Sequence, residues 1–149
     1  MLLFAAVLAV AADDPARATG HDVVPGPVPA RVVAVIDGDT ITVRARIWIG
    51  QDVETRVRLS GVDAPELRGA CPREKALAKD ARALVVRAVD RARVTLSEIR
   101  HDKFGGRVLA RVRTEAGEDL ATLLVAAGLG RAYDGGKRRA WCDSPGSGP

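Results

Sequence analysis

Apolar residues along this chain change their period several times, and each change marks an element. Val32, Val33, Val35 and Ile36 form a β-rich run that stops at Asp37-Gly38-Asp39, a turn signal. Residues 40–47 then alternate, one side apolar and the other polar, up to a turn at Gly50-Gln51-Asp52. Residues 53–62 alternate again through Val57 and Leu59, so the three runs predict a strand meander. Pro72 opens a helix, where its missing N–H is harmless, and Leu77, Ala81, Leu84 and Ala88 follow at helical spacing. Val94, Leu96 and Ile99 alternate as a fourth strand, residues 101–106 turn the chain, and Val108, Ala110 and Val112 continue as a fifth. Leu120, Leu123, Leu124 and Ala127 mark a second helix, ended by Gly128 at the usual capping position.

Three strands, a helix and two more strands predict a five-stranded oligonucleotide/oligosaccharide-binding (OB) barrel with helices, an α+β fold. The expected domain covers residues 30–142. Before it, residues 13–29 carry Pro15, Gly20, Pro25, Gly26, Pro27 and Pro29 and read as an extended linker. After it, residues 143–149 form a Ser/Gly/Pro tail expected to be disordered. No internal repeat is visible.

Residues 1–12 are nearly all apolar and uncharged, and Ala9-Val10-Ala11 gives the small-x-small pattern of a signal-peptidase site. The stretch is too short for a membrane-spanning helix. The expectation is a signal peptide, although a basic n-region is missing, and hence an exported protein, periplasmic or secreted. A chain of 149 residues fits one domain, and only 3% aromatic content against 47% hydrophobic leaves aliphatic side chains to build the core. Lys and Arg number 23 against 19 Asp and Glu, a formal charge of +4 that suits a polyanionic partner. The two cysteines, Cys71 and Cys142, allow either one disulfide or two separate thiols, and their spacing does not suggest zinc. Export predicts the disulfide, tying the start of the first helix to the C-terminal segment.

Candidate chemistry gathers at two acidic turns. Asp37-Gly38-Asp39-Thr40 places carboxylates between paired strands, and Asp63-Ala64-Pro65-Glu66 places two more where the third strand ends. Hard oxygen ligands grouped this way suit Ca²⁺, which accepts carboxylates, carbonyls and waters in a flexible shell. One Asp-Gly-Asp turn alone is usually just a hairpin; two acidic turns with Arg58 shortly before the second are far more specific.

Residues 35–40 (VIDGDT), 58–66 (RLSGVDAPE) and 102–110 (DKFGGRVLA) resemble the three signature blocks of the thermonuclease (staphylococcal nuclease) family, in the family's order. Ala127-Gly128-Leu129-Gly130 adds the small-residue turn after the family's second helix, so the likeness runs from about residue 30 to residue 133. The resemblance implies a five-stranded OB-type barrel, in agreement with the strand reading. It further implies that Asp39 and Asp63 are calcium carboxylates, with Ala64 contributing its backbone carbonyl. Glu66 matches the general base that activates the attacking water, and Arg58 and Arg107 match the arginines that grip the phosphate. A guanidinium pair and a metal ion would offset the extra negative charge of a pentacoordinate phosphorane, and a bidentate Arg fits phosphate better than Lys.

The chain departs from the family twice. Gly105 and Gly106 stand where one Gly is common, and the reading here is a longer turn with Arg107 kept in register. The C-terminus soon reaches Asp134-Gly135-Gly136 instead of a longer helix, so any grip from that helix is lost or rebuilt by Lys137, Arg138 and Arg139. The base-stacking tyrosines of the type member have no secure match. His101 reads as a solvated turn histidine rather than a base, and Trp48 and Trp141 as core or rim packing rather than base-stacking platforms; Lys103 and Phe104 resemble a family position near the nucleotide, with Phe104 alternatively a cover for the barrel. Arg73, Lys75, Lys79, Arg82 and Arg87 read equally as a nucleic-acid face or a solvated one. The function implied is a Ca²⁺-dependent, monomeric nuclease acting on DNA or RNA, with a non-catalytic nucleic-acid-binding OB module as the alternative.

Overall fold

The computed structural model describes residues 22–89 and 92–142; the predicted signal peptide, most of the linker and the 143–149 tail lie outside the described residues. Five long strands form a closed barrel: β1 (Val28–Val35), β2 (Thr40–Trp48), β3 (Gln51–Leu59), β5 (Arg93–His101) and β6 (Arg107–Thr114). The order round the barrel is β1-β2-β3-β6-β5, and β5 pairs back onto β1 to close it. Neighbours are antiparallel except β3 and β6, which run parallel with Arg58 opposite Leu109. The remaining elements are β4 (Val62–Asp63), α1 (Pro72–Val89), α2 (Leu120–Ala126) and β7 (Arg131–Ala132). Among the described residues no helix is long and apolar enough to cross a membrane.

Alternation drives the barrel because successive strand side chains point to opposite faces. Ile41, Val43 and Ala45 of β2, Val57 and Leu59 of β3, Val94 and Leu96 of β5, and Ala110 and Val112 of β6 all point into one buried cluster. The last described part of the linker is already paired, Val24 exchanging backbone hydrogen bonds with Ile99 at 2.8 and 2.9 Å.

Helix α1 starts at Pro72 as expected, but its buried stripe is Glu74, Ala78, Ala81, Val85 and Val89. Leu77, Leu84 and Ala88 of the predicted stripe are only half-buried and flank it, so the face is turned by about one residue. Helix α2 begins at Asp119, whose side chain accepts a hydrogen bond from Thr122 N–H at 3.0 Å, the usual N-cap arrangement. It buries Leu120 and Leu124. Trp48 corrects the packing expectation: it lies 70% exposed at the β2–β3 hairpin, next to the exposed Ile49. Phe104 likewise is exposed and does not cover the barrel.

Candidate active site

The turn between β1 and β2 places Asp39 under tight control. Asp37 accepts the Asp39 N–H at 3.1 Å, and Gly38 lies flat against α1, where an added Cβ would come within 2.7 Å of the Ala81 Cβ. Only a glycine lets helix and turn approach so closely. The Asp39 carboxylate, 4% exposed, accepts from Thr40 Oγ1 at 3.0 Å, the Ala64 N–H at 3.3 Å and Arg58 Nη1 at 2.8 Å. Burial is the main influence on its pKa and raises it to about 6, even though Arg58 acts to lower it.

A second small sheet carries the other acidic turn. β4 pairs antiparallel with β7, Val62 opposite Ala132 and Asp63 opposite Arg131. Asp63 is buried, and its Oδ1 lies 4.0 Å from Arg58 Nη2. Pro65 is fully buried, while the Glu66 carboxylate stands half-exposed. Glu74 holds the loop that follows: its carboxylate accepts the Glu66 N–H at 3.2 Å and the Ala70 N–H at 2.9 Å. Glu74 escaped the sequence reading, yet the buried stripe 78, 81, 85, 89 extended back one turn lands on it.

Arg107 starts β6, opposite Arg56 of β3. Gly106 before it adopts φ +79°, a left-handed turn with no atom near its Cβ position, so the additional glycine is spent in the turn. The Arg107 guanidinium is held by the buried side chain of Asp102 and lies 4.9 Å over the Phe104 ring. Arg58, Asp39, Glu66 and Arg107 all line one cleft of about 610 Å³. His101 lines it too and is solvated, as expected, with Asp22 3.9 Å away.

The C-terminal segment adds Tyr133, and it puts Arg138, expected with Lys137 and Arg139 to rebuild a substrate grip, on the acidic turn instead. Tyr133 lines the cleft, and its hydroxyl donates to the Gly136 carbonyl at 2.8 Å. Arg138 reaches back onto the acidic turn, its Nε to Asp63 Oδ1, Nη1 to Glu66 Oε1 at 2.8 Å and Nη2 to the Ala64 carbonyl at 3.3 Å. Burial is the largest influence on Arg138 and acts to lower its pKa, but Glu66 and Asp63 outweigh it and raise it. The segment is anchored by Arg131, which donates to the Arg139 and Ala140 carbonyls and stacks 3.8 Å from the Trp141 ring. Cys71 and Cys142 are bonded to each other, which ties its end to the start of α1. On helix α1, Arg82 is not simply a solvated cation: it donates to the Val35 and Ile36 carbonyls where β1 ends.

Asp63, the Ala64 carbonyl and Glu66 thus offer hard oxygens, the donor chemistry Ca²⁺ takes, to one guanidinium. Asp39 faces Arg58, which also lies 4.0 Å from Asp63, and among the described residues the carboxylates of Asp39, Asp63 and Glu66 do not all come within 4.8 Å of one another. A family model described as staphylococcal nuclease homologue matches residues 56–141, a span that includes Arg58, Asp63, Glu66, Arg107 and Arg138 but starts after Asp39. No curated protein matches the chain.

Proposed function

The chain belongs to the staphylococcal nuclease homologue family, and from that membership and the cleft we propose that it is a Ca²⁺-dependent nuclease hydrolysing phosphodiester bonds of DNA or RNA. The observation that supports the reading is the single cleft that Asp39, Glu66, Arg58 and Arg107 line together. Asp39, Asp63 and the Ala64 carbonyl would hold Ca²⁺, with Glu66 beside them. When bound, the metal supplies positive charge against the phosphate oxygens.

The chain's own residues account for the remaining chemistry. Glu66, half-exposed at the cleft, can take a proton from a water molecule while that water's oxygen forms its bond to phosphorus. The bond from phosphorus to the leaving oxygen breaks in line, and that oxygen takes its proton from solvent. Family resemblance makes it the 5′ oxygen, leaving a 3′-phosphate end. Arg58 and Arg107 oppose the charge that grows on the phosphoryl oxygens, and both are preorganised by carboxylate partners, Asp39 and Asp102. The chain's basic excess favours encounter with the polyanion. Export, for which residues 1–12 argue, would place this activity outside the cytoplasm.

The test is digestion of single-stranded DNA and of RNA by purified protein, first with Ca²⁺ and then with EGTA. Ca²⁺-dependent cleavage that vanishes in EGTA is expected. Binding of either polymer without cleavage under both conditions would favour the non-catalytic module instead.

A further inference from the structure

The position of Arg138 implies more than a surface ion pair. Three nitrogens of one guanidinium fall on Asp63, Glu66 and the Ala64 carbonyl. Two of these oxygens belong to the set assigned to the metal, and the third belongs to the base. Asp63 is 3% exposed, and its other cation, Arg58, comes only to 4.0 Å while bonded to Asp39 at 2.8 Å. A carboxylate so far from water needs a close positive partner, and in this structure Arg138 is that partner.

The segment that carries Arg138 delivers it from a backbone pinned next door by Arg131, which donates to the Arg139 and Ala140 carbonyls, so withdrawal is a movement of the Arg138 side chain. Residues 133–142 have no helix or strand, so backbone pairing does not lock the side chain in place. The ends of the segment are fixed nonetheless, by the pairing of β7 with β4 at one side and by the Cys71–Cys142 bond at the other. Tethering of this kind holds a group at high effective concentration over its site without making the contact permanent.

We propose that Arg138 is an internal cation that occupies the oxygen cluster of the metal-free protein and is displaced when Ca²⁺ binds. The proposal rests on the reading of this cluster as a calcium site. A guanidinium bonded at once to Asp63 Oδ1, Glu66 Oε1 and the Ala64 carbonyl stands between these oxygens and a metal ion, and the two positive charges repel at such range. Arg138 therefore lowers the affinity for Ca²⁺, and by reciprocity Ca²⁺ lowers the occupancy of the cluster by Arg138. The same event releases Glu66 Oε1, the oxygen that Arg138 holds.

Calorimetric titration with Ca²⁺ alone, with no substrate, tests this on the wild-type protein, Arg138→Ala and Arg138→Gln. Removing the charge is expected to tighten Ca²⁺ binding by about 5- to 150-fold, the usual range of coupling between two ligands. Thermal unfolding gives a second readout: both variants should unfold below wild type in EGTA but match it in saturating Ca²⁺. Arg138→Gln keeps the side chain's bulk and serves if Arg138→Ala does not fold. Unchanged or weaker Ca²⁺ binding by the variants, with wild type binding normally, overturns the displacement alone. Absence of Ca²⁺ binding in all three proteins overturns both the displacement and the calcium reading beneath it.

Discussion

Replacing Arg58 by Ala removes a guanidinium whose charge is spent on a nearly buried carboxylate. The side chains of Arg58 and Asp39 are 12% and 6% exposed, and they meet at 2.8 Å. Breaking such a pair by deleting one partner costs about 3–5 kcal/mol, since the other charge is left without compensation. Here the cost depends on pH. Asp39 titrates near 6 in the folded, metal-free protein against 3.8 for a free carboxylate, burial being the main cause. A raised carboxyl stabilises the fold fully below the unfolded value, and that contribution is lost as pH rises through about 6. At pH 8 wild-type Asp39 is charged and paired, and the variant must bury an unpaired charge or take up a proton. At pH 5 the carboxyl is protonated in both proteins, so only the loss of a hydrogen bond and its packing remains, about 1–2 kcal/mol. Urea unfolding in EGTA at the two pH values should therefore show Arg58→Ala losing roughly 2 kcal/mol more at pH 8 than at pH 5. In Ca²⁺, turnover on single-stranded DNA should fall by about a hundredfold or more, as removal of a preorganised charge partner does. Equal stability losses at both pH values would refute the account of Asp39 as a carboxylate held charged chiefly by Arg58.

Arg107→Ala should lower kcat by about a hundredfold with the fold intact, since its partners are the loop residues Asp102 and Phe104; near-normal turnover would place the phosphate elsewhere in the cleft. Gly38→Ala drives a methyl to within 2.7 Å of Ala81, and the overpacking should cost about 1–3 kcal/mol in urea unfolding and weaken Ca²⁺ binding. Joint replacement of Cys71 and Cys142 by Ser opens a bridge with a sequence separation of 71. Chain-entropy reasoning for a loop of this length puts the loss at about 4 kcal/mol, and unchanged denaturation midpoints would contradict it. With free metal controlled by chelator, Ca²⁺ should support cleavage and Mg²⁺ should do so poorly, because a site made from two carboxylates and a carbonyl does not impose Mg²⁺'s strict octahedron; equal rates would defeat that assignment.

Much of this molecule could be read from local pattern. Period-two alternation in residues 40–47 and through Val57 and Leu59 sorted inside from outside correctly, because strand geometry alone decides which neighbours share a face. The helix at Pro72 and the end of α2 before Gly128 were legible for the same reason, their signals lying within one turn of the boundary. The three motif blocks named the six candidate site residues, and the cleft brings Asp39, Arg58, Glu66 and Arg107 together. What the chain's pattern could not supply was the choice of partner. Spacing on α1 allowed stripes one residue apart, and only packing against the barrel selected the one that runs through Val85 and Val89 and buries Glu74 beneath the Glu66 loop. The parallel closure of β3 on β6 and the small β4–β7 sheet join segments far apart in sequence, for which period carries no information. Arg138 shows this most clearly: in sequence it is one of three consecutive cations after a glycine pair, and only the fold brings it across 75 residues to Asp63. Such a contact forms because a buried carboxylate must find a cation, and which cation it finds is decided by where the closed chain carries each of them.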